Sequence, residues 1–381
     1  MAHKLPSEVV RGIVQAYDAL PQPTEVVSLA LVSSSFRAQV RQHLLERIVI
    51  SSSSSAQTFL KILNNDSDLC KLARTLTIAR GPRKRLQTGG KGKKASQSWI
   101  EDSVTEVEFV QLCLKLEGVT EVHLREPAFV TLRRRQANFA SSLSHLRTLS
   151  ICGRSDSIQP GFNLHTVGQI LLTVPQLEHL ALRNLHAFPT SFHGLSLPSF
   201  SLISLALFLT SNLSSSHLYW LLSSSMNADS LRTIASDLHD LRPAQLHSVY
   251  WCTARVTKVA LSSNITGAIE CISLHCPSLE RLELRASALV GAEWLLRNAC
   301  DYGTLKELVD ESDGAEAGLV LRELAESLLL YRRRLRMRMI AVRRTRRNED
   351  GYKELREVCR MLNVALEELS DRGDGLWIPN E

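Results

Sequence analysis

Aromatic side chains are scarce in this 381-residue chain, at 6% of the total, so any core must be built mainly from Leu, Val, Ile and Ala. Long apolar runs are missing as well. The longest, around Phe200 to Leu213, is broken by serines and too short to span a bilayer. The first residues lack the charged start, apolar middle and small-residue cleavage site of a secretory leader, so no membrane partner is expected. The eight cysteines (Cys70, Cys113, Cys152, Cys252, Cys271, Cys276, Cys300, Cys359) form no C-x-x-C pair. Cys271 and Cys276 have neither a second pair nor a His-x-x-x-His to complete a zinc site, and read as buried helix thiols. No metal or cofactor is therefore expected, and the scattered thiols fit a reducing compartment, cytoplasm or nucleus. There is no Gly-x-Ser-x-Gly elbow, no phosphate loop and no His-Glu-x-x-His, so the expectation is a non-catalytic protein.

Charge is unevenly distributed. Of 45 basic residues, seven lie between Arg80 and Lys94 and nine between Arg332 and Arg347, with no acid in either segment. The remainder carries 29 basic against 39 acidic residues, a net of −10. This is an acidic body with two basic segments, not a generally basic nucleic-acid binder. Apart from Tyr331 at one edge, no aromatic accompanies either run, so base stacking is unsupported and nucleic acid is not an expected partner.

From about Ala73 onward a Leu-x-x-Leu-x-Leu frame returns. Its middle members are Leu76, Val122, Leu149, Leu180, Leu205, Ile234, Val259, Leu282 and Leu308, at intervals of 46, 27, 31, 25, 29, 25, 23 and 26 residues. The long first interval contains the Gly-rich basic insertion 81–94. Within a frame the apolar period is two, placing Leu180 and Leu182 inward and His179, Ala181 and Arg183 outward. Helical patterns lie between the frames, at Val167 to Thr173, Leu218 to Ser223 and Ala292 to Asn298, and Pro175, Pro198 and Pro277 close loops before strands. Strand, loop and helix at this period specify an α/β chain: a right-handed solenoid of parallel strands alternating with helices. A doubly wound α/β domain is the other arrangement of such elements; the short period and the lack of a Gly-rich phosphate loop disfavour it. The frame and its period resemble those of leucine-rich-repeat proteins, in degenerate form.

The first fifty residues contain three short apolar stretches, Leu5 to Val10 onward, Val26 to Phe36, and Val40 to Ile50. Read as three helices, these ~45 residues are too few to bury all their apolar side chains among themselves, which leaves a docking surface. Leu5-Pro6, Glu8, Ile13, Leu29, Val32-Ser33 and Phe36 stand where an F-box has its Leu-Pro start, apolar helix positions, Leu-x-x-Val-Ser segment and aromatic anchor. The stretch resembles an F-box; an N-terminal cap on the solenoid is the alternative. The resemblance implies a substrate-recognition subunit of an SCF-type ubiquitin ligase. Leu5, Pro6, Val9, Ile13, Leu29, Val32 and Phe36 would bind the Skp-type adaptor, and the repeats an unidentified protein substrate. The competing class is a nuclear scaffold or nucleic-acid-associated protein acting through its basic segments.

The expected organisation is an F-box over 1–50, a Ser-rich linker over 51–60 and one elongated repeat domain over 61–370 with a flexible basic insertion at 80–98, followed by a tail at 371–381. Near the C-terminus, Gly318 to Leu330 reads as a helix and Tyr352 to Leu362 as another, with a last short strand at Val364 to Leu366. Between them, Arg332 to Met339 alternates as a strand would. Leu335, 27 residues after Leu308, then becomes a tenth middle member; one long Arg-rich helix to Arg347 is the other reading. On the outward strand face Arg281, Glu283 and Arg285, with Arg334, Arg336 and Arg338, form a candidate surface for an acidic or phosphorylated partner, because guanidinium forks bind carboxylate and phosphate in bidentate fashion.

Overall fold

The computed structural model describes residues 10, 33–65, 69–80, 83–86, 98–127, 143–153, 164–186, 192–208, 213–236, 255–261, 272, 275–285, 289–300, 304–312 and 318–369. The chain forms two compact units, residues 1–149 and 150–381.

In the first unit, Ser33 has extended backbone and accepts the Phe36 N–H at 3.3 Å, capping helix α1 (Ser34–Glu46). The third apolar stretch was expected to stay helical to Ile50. Instead Arg47–Ile50 is strand β1, alternately exposed and buried, as the β-branched triplet Ile48-Val49-Ile50 favours. The five serines expected as a linker open helix α2 (Ser53–Asn65). The Ser52 N–H donates to Ser55 Oγ at 3.2 Å and the Ser55 N–H to Ser52 Oγ at 3.1 Å, a reciprocal cap in which serine does the work usually given to glutamate. After the short α3 (Leu69–Leu72), strand β2 (Thr75–Ile78) pairs with β1 in parallel. The basic insertion expected as a flexible loop is paired at its ends: β3 (Arg83–Leu86) and β4 (Ser98–Glu101) form an antiparallel ladder, while 87–97 lie outside the described residues. Helix α4 (Glu106–Lys115) starts with a complete Thr105/Glu108 capping box and packs against α2. Strand β5 (Glu121–Arg125) joins β2 in parallel, so Ile48, Leu76 and Val122 share one buried row.

Strand β6 (Thr148–Cys152) covers the boundary between the units, with Leu149 buried. The second unit continues through α5 (Leu164–Leu171), β7 (His179–Arg183), β8 (Ser204–Phe208), α6 (Ser215–Ala228), β9 (Thr233–Ser236), β10 (Lys258–Leu261) and β11 (Arg281–Leu284). It ends with β12 (Leu289–Val290), α7 (Ala292–Cys300), β13 (Glu307–Asp310), β14 (Gly318–Leu319), α8 (Leu321–Tyr331), β15 (Met339–Arg343), a 3-10 turn at Arg344–Asn348, α9 (Tyr352–Leu362) and β16 (Ala365–Leu369). The strands β7, β8, β9, β10, β11, β13, β15 and β16 are neighbours in that order and all parallel. The tiny β12 and β14 pair separately. Residues expected as frame middles stand directly opposite one another: Leu180, Leu205, Ile234, Val259, Leu282 and Leu308 form one continuous row, each fully buried. The row is the hydrophobic spine of a leucine-rich-repeat-like arrangement, and burying each such side chain contributes about 1.5–3 kcal/mol.

The row continues through Ile340 and Leu366, not Leu335. The tenth frame is Met337-x-x-Ile340-x-Val342, all three buried. Helix α8 runs to Tyr331 and the chain must turn through Arg332–Arg334 before rejoining the sheet, so the strand starts only at Met339 and the middle member moves five positions, from Leu335 to Ile340. The continuous Arg-rich helix to Arg347 is not formed either. Two close approaches fix strand exits and helix starts. A Cβ at Gly153 would collide with the Asn184 carbonyl, where Asn184 itself turns through φ 51°. Gly351, at φ 89° against the Arg322 backbone, begins α9 in a conformation L side chains avoid.

Candidate functional site

Strand side chains that do not enter the leucine spine face the other side of the sheet, and in the second unit they form the candidate binding face. Its middle row begins as a floor of alanines, Ala206, Ala235 and Ala260, with Ala181 and Phe208 packed beside them. At β11 the row changes to Glu283, which is 2% exposed although the sequence placed it on an open surface. Glu283 Oε1 accepts from Lys258 Nζ at 2.9 Å and Arg281 Nε at 2.8 Å, and Arg281 Nη1 reaches Glu307 at 2.9 Å. Four charges on three adjacent strands thus satisfy one another. Burial raises the Glu283 pKa, but the Lys258 and Arg281 cations outweigh it and hold the carboxyl below its usual range. One strand position further on, Arg285 pairs with Glu311 at 2.8 Å and lies 5.9 Å from the Phe208 ring centre.

Of the residues expected to meet a substrate, Arg281, Glu283 and Arg285 therefore come together, as an internally paired charge ladder. Arg334, Arg336 and Arg338 do not join them. Arg334 sits on the turn after α8, and Arg336 and Arg338 precede β15, all three exposed. Of the expected adaptor contacts, Leu5, Pro6, Val9, Ile13, Leu29 and Val32 lie outside the described residues, and Phe36 is buried within the chain at 8% exposure.

Two polar clusters escaped the sequence reading. In the first unit, Thr75 Oγ1 donates to Glu121 at 3.0 Å, and His123 Nε2 lies 3.8 Å from the same carboxylate. The adjoining imidazole, then Thr75, lower the Glu121 pKa against partial burial. In the second unit Asp310 occupies a spine position, Leu305-x-x-Leu308-x-Asp310, where the frame calls for an apolar residue. It accepts the Ser312 and Leu319 N–H groups at 3.0 and 2.9 Å and pairs with Arg346 Nη1 at 2.5 Å. Arg346 also donates to Ser312 Oγ, the Leu319 carbonyl and Glu349. Both charged side chains are 1% exposed. The polar residue inside the frame was the legible sign of this cluster; its partner 36 positions away was not.

Among the described residues no group of three His, Cys, Asp or Glu residues is placed to hold a metal ion, and no described helix is long and apolar enough to cross a membrane. Cys70, Cys113, Cys152, Cys276 and Cys359 form no disulfide. Burial pushes the Cys113 thiol far up and that of Cys359 to about 11, so neither supplies a reactive thiolate.

The Glu283 network makes a pH prediction. Its folded pKa is depressed, so its stabilisation is present above the unfolded value of ~4.3 and is lost as pH falls through the folded value. Thermal melting of wild type and Glu283→Gln should differ by about 1–3 kcal/mol near neutrality, because Lys258 and Arg281 can rehydrate, and should converge in acid. A pH-independent gap would assign the effect to packing.

No protein-family model matches the chain, and no curated protein matches it. Among solved structures, the crystal structure of a Rad7 and Elc1 complex in yeast is similar with a TM-score of 0.43 and 13% sequence identity, covering 99% of this chain and 97% of that chain.

Proposed function

We propose that the chain is a non-catalytic substrate receptor of an SCF-type ubiquitin ligase, its N-terminal segment holding a Skp-type adaptor and its repeats holding a protein to be ubiquitinated. The observation that carries the reading is a sequence one: Leu5-Pro6, Val32-Ser33 and Phe36 keep F-box spacing immediately ahead of a repeat sheet. In the described part of that segment, Ser33 caps the helix that contains Phe36, and that helix leads directly into β1.

Phe36 is already buried by its own chain, so its truncation would report on folding as well as docking. The informative variant is Leu5→Ala with Pro6→Ala. Mixed with purified adaptor, it should bind about 2 kcal/mol or more weaker than wild type if these residues are interface anchors. Undiminished binding by a variant with unchanged circular dichroism contradicts the adaptor assignment.

A further inference from the structure

Five arginines, Arg332, Arg333, Arg334, Arg336 and Arg338, are exposed between α8 and β15, and no acid pairs with any of them among the described residues. Their backbone is held. The Arg334 and Leu335 N–H groups bond to the Tyr331 carbonyl at 2.8 and 3.2 Å, and those of Arg338 and Met339 to the Lys306 carbonyl at 2.7 and 3.1 Å. Met337 is buried and Leu335 half-buried, anchoring the segment between the outward-pointing cations. The contrast with Arg281 and Arg285 is direct: those guanidiniums are taken by Glu307 and Glu311, while these have their donors open.

We infer that this turn, and not the strand face, is a docking site for a short acidic segment of a partner protein. A fixed backbone presenting unpaired guanidiniums binds anions with little ordering cost, and each fork can take a carboxylate or a phosphate through two parallel N–H bonds. The patch is bounded. The following repeat is mixed in charge: α9 and β16 expose Glu354, Glu357 and Glu367 beside Lys353, Arg356 and Arg360, so an anion longer than the turn gains little further net attraction there. A nucleic acid, with evenly spaced phosphates along a long backbone, would run onto this mixed surface; a peptide with a local run of acids would not. Leu330, 67% exposed at the start of the turn, offers an apolar contact suited to a polypeptide. The inference rests on the receptor reading for the fate of the bound protein, whereas the binding itself is measured without adaptor.

The test is fluorescence anisotropy of the full-length chain with three labelled probes: an Asp/Glu-rich peptide, a peptide of equal length carrying phosphoserines instead, and a DNA oligonucleotide of matched charge. At least one peptide should bind, more weakly as salt rises, and the tighter of the two identifies carboxylate or phosphate as the source of charge. Arg334→Glu, Arg336→Glu and Arg338→Glu together should weaken that binding at least about tenfold, as expected from losing charged hydrogen bonds. Reversal of the exposed Arg297 and Lys353 should leave it unchanged. If the triple reversal fails to fold, the glutamine versions at the same three positions serve, with the same expected direction. Unchanged peptide affinity in a folded triple variant, or tighter binding of the oligonucleotide than of either peptide, overturns the proposal. Adaptor capture by the triple variant is scored separately: retained adaptor with lost peptide isolates this site from the F-box assignment.

Discussion

Replacing Arg346 by alanine is expected to remove about 3–5 kcal/mol from the unfolding free energy of the second unit, the cost of leaving a buried carboxylate without its counter-charge. Asp310 would keep only two backbone N–H donors in a site where it is 1% exposed. The loss should also spread, because Arg346 ties β13, β14 and the 3-10 turn together through Asp310, the Leu319 carbonyl and Glu349. Replacing the pair at once, with Asp310→Leu and Arg346→Met, should restore much of the stability, since the spine position would then match its apolar neighbours Leu284 and Val342. Urea denaturation of the two single variants and the double variant gives the coupling directly. A small loss for Arg346→Ala, within about 0.5 kcal/mol, would mean that the ion pair is not formed in solution.

Leu205→Ala is expected to cost about 2–5 kcal/mol, by lost transfer energy plus an unfilled cavity. Leu205 stands directly between Leu180 and Ile234 in the buried row, so neither neighbouring strand can relax into the gap without breaking its own register. Leu330→Ala, at the exposed end of α8, removes the same atoms from water and should change stability by no more than about 0.5 kcal/mol. The difference between these two leucines, measured by thermal melting, tests the parallel register. Equal effects would show that Leu205 is not a spine residue.

Most of that spine could be read from the amino-acid order because its requirement is local: an apolar side chain at every second strand position, returning at a nearly constant interval. The helical stretches at Leu164–Leu171, Ser215–Ala228, Ala292–Cys300 and Tyr352–Leu362 were legible for the same reason. Where the local pattern is ambiguous, it misled. Arg332 to Met339 alternates like a strand, yet the covering helix ends only at Tyr331, leaving no length for the turn; Met337, filling a leucine position, hid the true frame. Arg47–Ile50 is too short for any period to distinguish strand from helix. The serine run looked like a linker because serines are poor helix formers, although the same side chains make good caps.

The candidate site was less legible because its electrostatics are settled between strands. Arg281 and Glu307 are 26 residues apart in sequence and nearly opposite in the sheet. An alternating row of charges on one strand gives no indication of whether the neighbouring strand neutralises it. Sequence reading therefore grouped Arg281 and Arg285 with Arg334, Arg336 and Arg338, whereas the fold pairs the first two internally and leaves the last three open.

The receptor account is tested most directly by quantitative affinity capture of the full-length chain from cells with the proteasome blocked. It predicts recovery of a Skp-type adaptor in amounts comparable to the chain itself, lost in the Leu5→Ala, Pro6→Ala variant. Recovery of partner proteins without the adaptor, from a chain that is folded and abundant, would contradict it.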